Sequence, residues 1–194
     1  MKKLVIVLLA STLAITSINA QSPVAFGLKG GLNIATLNVE SDSELDPRLG
    51  LHVGGLAHIH LNRSWALQPE VIYSAQGFGD IDNDDVKWKL DYVNIPVMVQ
   101  YMFDNGFRLE TGPQLGLLIN AKAESGNSET SLKDDLKSTD VSWGFGLNYL
   151  SKSQIGVGAR YNLGLTNINE GSSDVKNRVF QISLFYVFDA AHKR

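Results

Sequence analysis

Apolar and polar residues alternate one for one in eight separate stretches of this chain, and a period of two marks a strand whose two faces meet unlike surroundings. Phe26, Leu28, Leu32 and Ile34 oppose Lys29 and Asn33, and Leu49, Leu51, Val53, Ala57, Ile59 and Leu61 oppose His52, His58 and His60. Trp65, Leu67, Val71 and Tyr73 oppose Gln68, Glu70, Ser74 and Gln76, while Val93, Ile95, Val97, Val99, Tyr101 and Phe103 oppose Asn94, Pro96 and Gln100. The second half repeats the pattern. Phe107, Leu109, Leu115 and Leu117 face away from Arg108, Glu110 and Gln114, and Val141, Trp143, Phe145, Leu147 and Tyr149 face away from Ser142, Gly144, Gly146 and Asn148. Ile155, Val157, Ala159, Tyr161 and Leu163 then oppose Gly156, Gly158, Arg160 and Asn162, and Phe180, Ile182, Leu184, Tyr186 and Phe188 oppose Gln181 and Ser183. Trp88, Leu90 and Tyr92 are out of phase with the stretch that follows, which predicts a bulge near Asp91.

The connections between these stretches sort by length. Short turns at Asn62-Arg63-Ser64, Asp104-Asn105-Gly106 and Ser151-Lys152-Ser153 alternate with long ones at Asn38 to Arg48, Gly77 to Lys87, Asn120 to Asp140 and Asn167 to Arg178. Transmembrane barrels have short periplasmic turns and long extracellular loops, and a soluble sandwich has no reason to sort its loops this way. The polar face carries Gly, Ser, Asn and Gln with a few isolated charges, which suits the crowded interior of a narrow barrel, whereas the outer face of a soluble barrel is rich in Lys and Glu. Aromatic residues gather on the apolar face near the short turns (Phe26, Trp65, Tyr101, Phe103, Phe107, Tyr149, Tyr186, Phe188), and Phe78, Trp88 and Trp143 lie toward the other end, as two interfacial belts require. The expected fold is an eight-stranded antiparallel up-and-down transmembrane β-barrel.

Met1 to Ala20 carry Lys2 and Lys3 ahead of an apolar run too short to span a bilayer, and read as a cleaved signal peptide before a barrel domain at 21–194. Without the leader, 174 residues remain with 15 basic and 20 acidic side chains, a net charge of −5 that argues against nucleic acid as a partner. The chain has no cysteine, so no disulfide framework supports the fold.

The segments Lys29-Gly30-Gly31-Leu32-Asn33, Gln68-Pro69-Glu70, Asn94-Ile95-Pro96-Val97, Thr111-Gly112-Pro113 and Arg160-Tyr161-Asn162-Leu163-Gly164-Leu165, in this order, resemble the outer-membrane β-barrel domain of Bacteroidetes, often termed porin-family or PorT-like. The resemblance implies a small barrel of the OmpA or OmpX type in a Gram-negative outer membrane, with no defined catalytic residues and no cofactor.

Lys29, Glu70, Arg108, Glu110 and Arg160 fall on the polar face, and counting from the short turns places Lys29, Glu70, Glu110 and Arg160 at similar depth. Eight strands leave a lumen just wide enough for side chains to fill, so these charges are expected to pair into a buried network, the alternative being a gate or narrow ion path. His58 and His60, one pleat repeat apart, have the spacing of a two-histidine metal site, but no carboxylate neighbours them on their strand and hydrogen-bonded lumen histidines are the commoner case. Asp80 to Asp85 resembles the opening of a calcium loop, yet Asp85 and Asp91 stand where an EF-hand needs Gly and Glu. The four long loops hold 15 of the 20 acidic residues: Glu40, Asp42, Glu44, Asp46, Asp80, Asp82, Asp84, Asp85, Glu124, Glu129, Asp134, Asp135, Asp140, Glu170 and Asp174. Such runs are commonly only a solvated surface, and the sharper alternative is a contact for divalent cations. There is no Gly-x-Ser-x-Gly and no cysteine nucleophile, and triad residues are expected at unrelated depths, so the chain does not read as an enzyme. The reading is an outer-membrane structural or surface-interaction barrel whose partners are membrane lipid and envelope proteins. Alternatives are a transport or type IX secretion accessory, a narrow small-solute pore, and a soluble lipocalin-like binder.

Overall fold

The computed structural model describes residues 24–39, 45–80, 86–125, 128–133, 136–169 and 175–188. The proposed leader at 1–20 lies outside them. Among the described residues nine strands form: β1 (Val24–Val39), β2 (Leu45–His60), β3 (Trp65–Asp80), β4 (Val86–Met102), β5 (Phe107–Ser125), β6 (Ser128–Ser131), β7 (Thr139–Leu150), β8 (Ile155–Gly164) and β9 (Val175–Val187). Eight of them close a barrel of antiparallel neighbours, with β1 paired to both β2 and β9 and β4 paired to β5. The ninth, β6, turns back along the far end of β5 and lies outside the closed ring.

Closure satisfies the backbone of every strand on both sides, which a bilayer demands. It also assigns the two faces. The expected outward residues are exposed or half-exposed, with Phe26 at 63%, Leu49 at 71% and Leu184 at 59%, while Lys29, Asn33, His52, Glu70, Glu110, Asn148 and Arg160 are buried inside. A wall of this composition is unsupportable in water and stable in hydrocarbon.

The short turns follow from their residues. Asn62 Oδ1 accepts the backbone N–H groups of Ser64 and Trp65, both at 2.9 Å. Gly106 adopts a φ of +92°, a left-handed conformation open to glycine, and its N–H reaches Phe103 O at 3.1 Å. Near these turns the belt aromatics pack ring against ring, with Trp65 against Tyr101 (5.0 Å), Tyr101 against Phe103 (4.9 Å) and Phe107 against Tyr149 (5.2 Å).

At the opposite end the strands run farther than alternation predicts, β3 to Asp80, β4 from Val86 and β5 to Ser125. Once clear of the membrane both faces of a strand meet water, so the two-residue pattern fades while backbone pairing continues. Phe78 and Trp88 stack there at 5.1 Å, in phase with inward-facing Gln76 and Leu90, so of the three aromatics expected in the far belt only Trp143 lies on the outer wall.

A register shift does fall at the expected place, between Asp91 and Tyr92, but the phase break at Trp88, Leu90 and Tyr92 does not come from an extra residue in β4. Leu90 and Tyr92 continue the inward series of Asn94 and Pro96, both being 1% exposed. The extra residue sits across the ladder: Asp91 pairs with Asn120 and Tyr92 with Leu118, leaving Ile119 of β5 unmatched. Beyond it the inward positions of β5 change from Leu118 to Ala121.

Candidate functional site

The interior is filled in layers. Midway along it, four of the five charges expected in a network meet. Arg160 of β8 grips Glu70 of β3 with both terminal nitrogens, at 2.7 and 2.9 Å, and its Nε donates to Glu110 Oε1 of β5 at 2.6 Å. Lys29 of β1 donates to Glu70 at 3.3 Å. Gln68 and Gln100 each donate to one of these carboxylates at 2.8 Å. The group is electrically neutral and its side chains are almost fully enclosed. Between Glu110 and Arg160 in the sheet stands Gly146, where a Cβ would lie 2.6 Å from Glu110 Oε1. The ion pair passes over this glycine.

Arg108 makes no direct ion pair with that group and reaches it through His58 and Gln68. Among the described residues no carboxylate lies within ion-pair reach of it, and its NH1 lies 3.5 Å from His58 Nε2. His58 Nδ1 donates to Gln68 Oε1 at 3.2 Å, so both ring nitrogens of His58 face protein partners, and the ring meets that of His60 edge-on at 4.6 Å. The described residues hold no cluster of three metal-ligating side chains.

On the long-loop side of the charges lies a layer of amides and hydroxyls. Asn33 Nδ2 donates to Ser74 Oγ at 2.9 Å, while its Oδ1 accepts from Gln181 Nε2 at 2.9 Å and from His52 Nδ1 at 2.8 Å. His52 Nε2 in turn takes the Ser183 hydroxyl at 2.9 Å. Ser183, His52 and Asn33 thus line up at one depth, with an asparagine amide where a catalytic triad needs a carboxylate. Each is at most 4% exposed, and a Cβ on the neighbouring Gly31 would already press on the His52 ring at 2.9 Å, so the chain of hydrogen bonds has no room for a substrate. Asp140, counted with the loops in the sequence, faces inward from β7 and accepts from Asn177 at 2.8 Å and Thr166 at 2.9 Å.

Both ends are stopped with apolar side chains. Leu90, Tyr92, Leu118, Ala121 and Ile168 close the long-loop end, with Leu37, Leu132, Leu136 and Val175 packed around them. Ala25, Leu56, Phe185 and Val187 close the short-turn end against Leu150. Ile168 reaches the upper stopper from the connection after β8, held by backbone hydrogen bonds to Lys137 and Val175 at 2.8 and 2.9 Å.

Of the acidic loop residues, Glu40, Asp42, Glu44, Asp82, Asp84, Asp85, Asp134, Asp135, Glu170 and Asp174 lie outside the described residues, as does the body of the calcium-like stretch at 80–85. Glu124 pairs with Lys89, and Glu129 pairs with Lys122 at 2.8 Å. That hydrogen bond raises the Lys122 ammonium and lowers the Glu129 carboxyl from their ordinary values.

The polar partners Gln68, Gln100, Ser74, Gln181 and Asn177 were not singled out from sequence. The inward parity of Gln68, Gln100, Ser74 and Gln181 is legible in the sequence, whereas Asn177 falls in the stretch that reads as loop; which of them meet depends on barrel tilt and on the Ile119 offset.

Among solved structures the chain is similar to Ail, the attachment invasion locus protein of Yersinia pestis, at 17% identity and a TM-score of 0.55 over 84% of this chain and 98% of that one. It is likewise similar to Neisserial surface protein A, at 17% identity and a TM-score of 0.58 over 84% and 97%. Likeness at this level establishes the fold. No curated protein matches the chain. The model of the outer membrane protein beta-barrel domain matches residues 19–170, most of the strands described above, and the chain therefore belongs to that family of the bacterial outer membrane.

Proposed function

We propose that this barrel is a closed, non-enzymatic post in the outer membrane that carries its extracellular strands and loops as a surface for other envelope components. The observation behind this reading is the interior: among the described residues a neutral, fully paired charge layer lies between two apolar stoppers. Aqueous channels come with about 16 strands, and eight leave a lumen that side chains occupy. The expected result is that purified protein in planar bilayers gives no steady conductance and that its proteoliposomes do not swell in small sugars. A stable open level in wild-type protein would replace this reading with a narrow pore.

The role of a transport or secretion accessory draws support from the extended β3, β4 and β5, which with β6 continue the sheet past the barrel. Such a wall offers a docking platform. Co-purification of an envelope protein with the intact barrel, lost when residues 122–131 are deleted, is the result that favours it.

A further inference from the structure

We propose that Arg108 and Asn148 hold a halide-sized anion near the periplasmic end of the lumen. Six charged side chains are buried among the described residues: Lys29, Glu70, Arg108, Glu110, Asp140 and Arg160. Lys29, Arg160, Glu70 and Glu110 neutralise one another, and Asp140 is satisfied at the far end by Asn177 and Thr166. Arg108 remains as a cation with no carboxylate in ion-pair contact among the described residues. A guanidinium presents five donors, and its one hydrogen-bond partner among the described residues is the His58 ring.

Directly across the ladder from Arg108, on the same inward face, is Asn148. It is 4% exposed, and its Nδ2 has no hydrogen-bond partner. Its amide lies over Gly158, the next residue across the sheet, where a Cβ would fall 1.9 Å from Oδ1. With Oδ1 turned onto Gly158, Nδ2 is left on the side away from it. Two neighbouring buried groups, one charged and one neutral, thus offer only donors. Burying an ionised group without a partner is costly, and a small anion accepts from both donors and cancels the charge. The pair lies close to the turn at 104–106, at the end of the lumen nearest the periplasm, where chloride is the small monovalent anion at hand. A divalent metal cation is disfavoured at the same place by the guanidinium beside His58.

The test uses the intact barrel in detergent at fixed ionic strength, with chloride replaced by gluconate, which is too large for an eight-stranded lumen. The readout is the midpoint of heat-induced loss of the compact form. Wild-type protein in chloride at tenfold its Kd should melt on the order of 3 °C higher than in gluconate. Asn148→Asp places a carboxylate beside Arg108 and should fold with the chloride dependence abolished, and Arg108→Gln should also lose it. Bromide-soaked crystals should show an anomalous peak between the two side chains. A wild-type midpoint indifferent to the anion, or an equal chloride dependence in Asn148→Asp, overturns the proposal.

Discussion

Arg160 ties the two carboxylates of its layer together, because its planar fork spans Glu70 while Nε still reaches Glu110. Arg160→Ala leaves two carboxylates with only Lys29 and two amides, and should lower stability by about 3–5 kcal/mol without creating a pore. Unfolding in urea read beside bilayer recordings separates the two effects, and a large conductance at unchanged stability contradicts the structural role. Gly146→Ala acts on the same pair from the backbone side, since the added methyl forces Glu110 away; it should destabilise in the same assay but by less than Arg160→Ala. Four of these charged residues could be assigned to one layer from the sequence because inward parity and distance from the turns are both countable. Arg108 was grouped with them on parity alone, and its lower position separates it.

At the level of strands and turns, alternation located every wall-forming strand but not where each one stops. The two-residue pattern reports a boundary between lipid and interior, and it says nothing about backbone pairing above the membrane, so the ends of β3, β4 and β5 and the whole of β6 were read as loop. The bulge is a related case. A phase change in one strand's sequence can come from apolar residues turned inward, as Leu90 and Tyr92 are, and the compensating extra residue, Ile119, is on the partner strand. Truncating this stopper by Leu90→Ala should cost about 2–5 kcal/mol. It should also speed proteolysis from the extracellular face in intact cells, and unchanged cleavage would show that the cap does not hold the rim together.

For the molecule as a whole, closure makes stability a cooperative property of the ring, since losing one strand exposes the backbone edges of two others. Unboiled protein extracted from outer membranes should therefore migrate apart from the boiled form on a gel, and a single band in the soluble fraction would be incompatible with the transmembrane barrel. The way Ile168 is placed bears on how such a protein can change over generations. Phages, antibodies and host factors meet a bacterium at its outermost loops, and variants that escape them are selected there. The stretch around Ile168 serves the interior instead, so substitutions tolerated in the other loops carry a folding penalty in this one, and surface diversification should stop where the chain dips into the barrel.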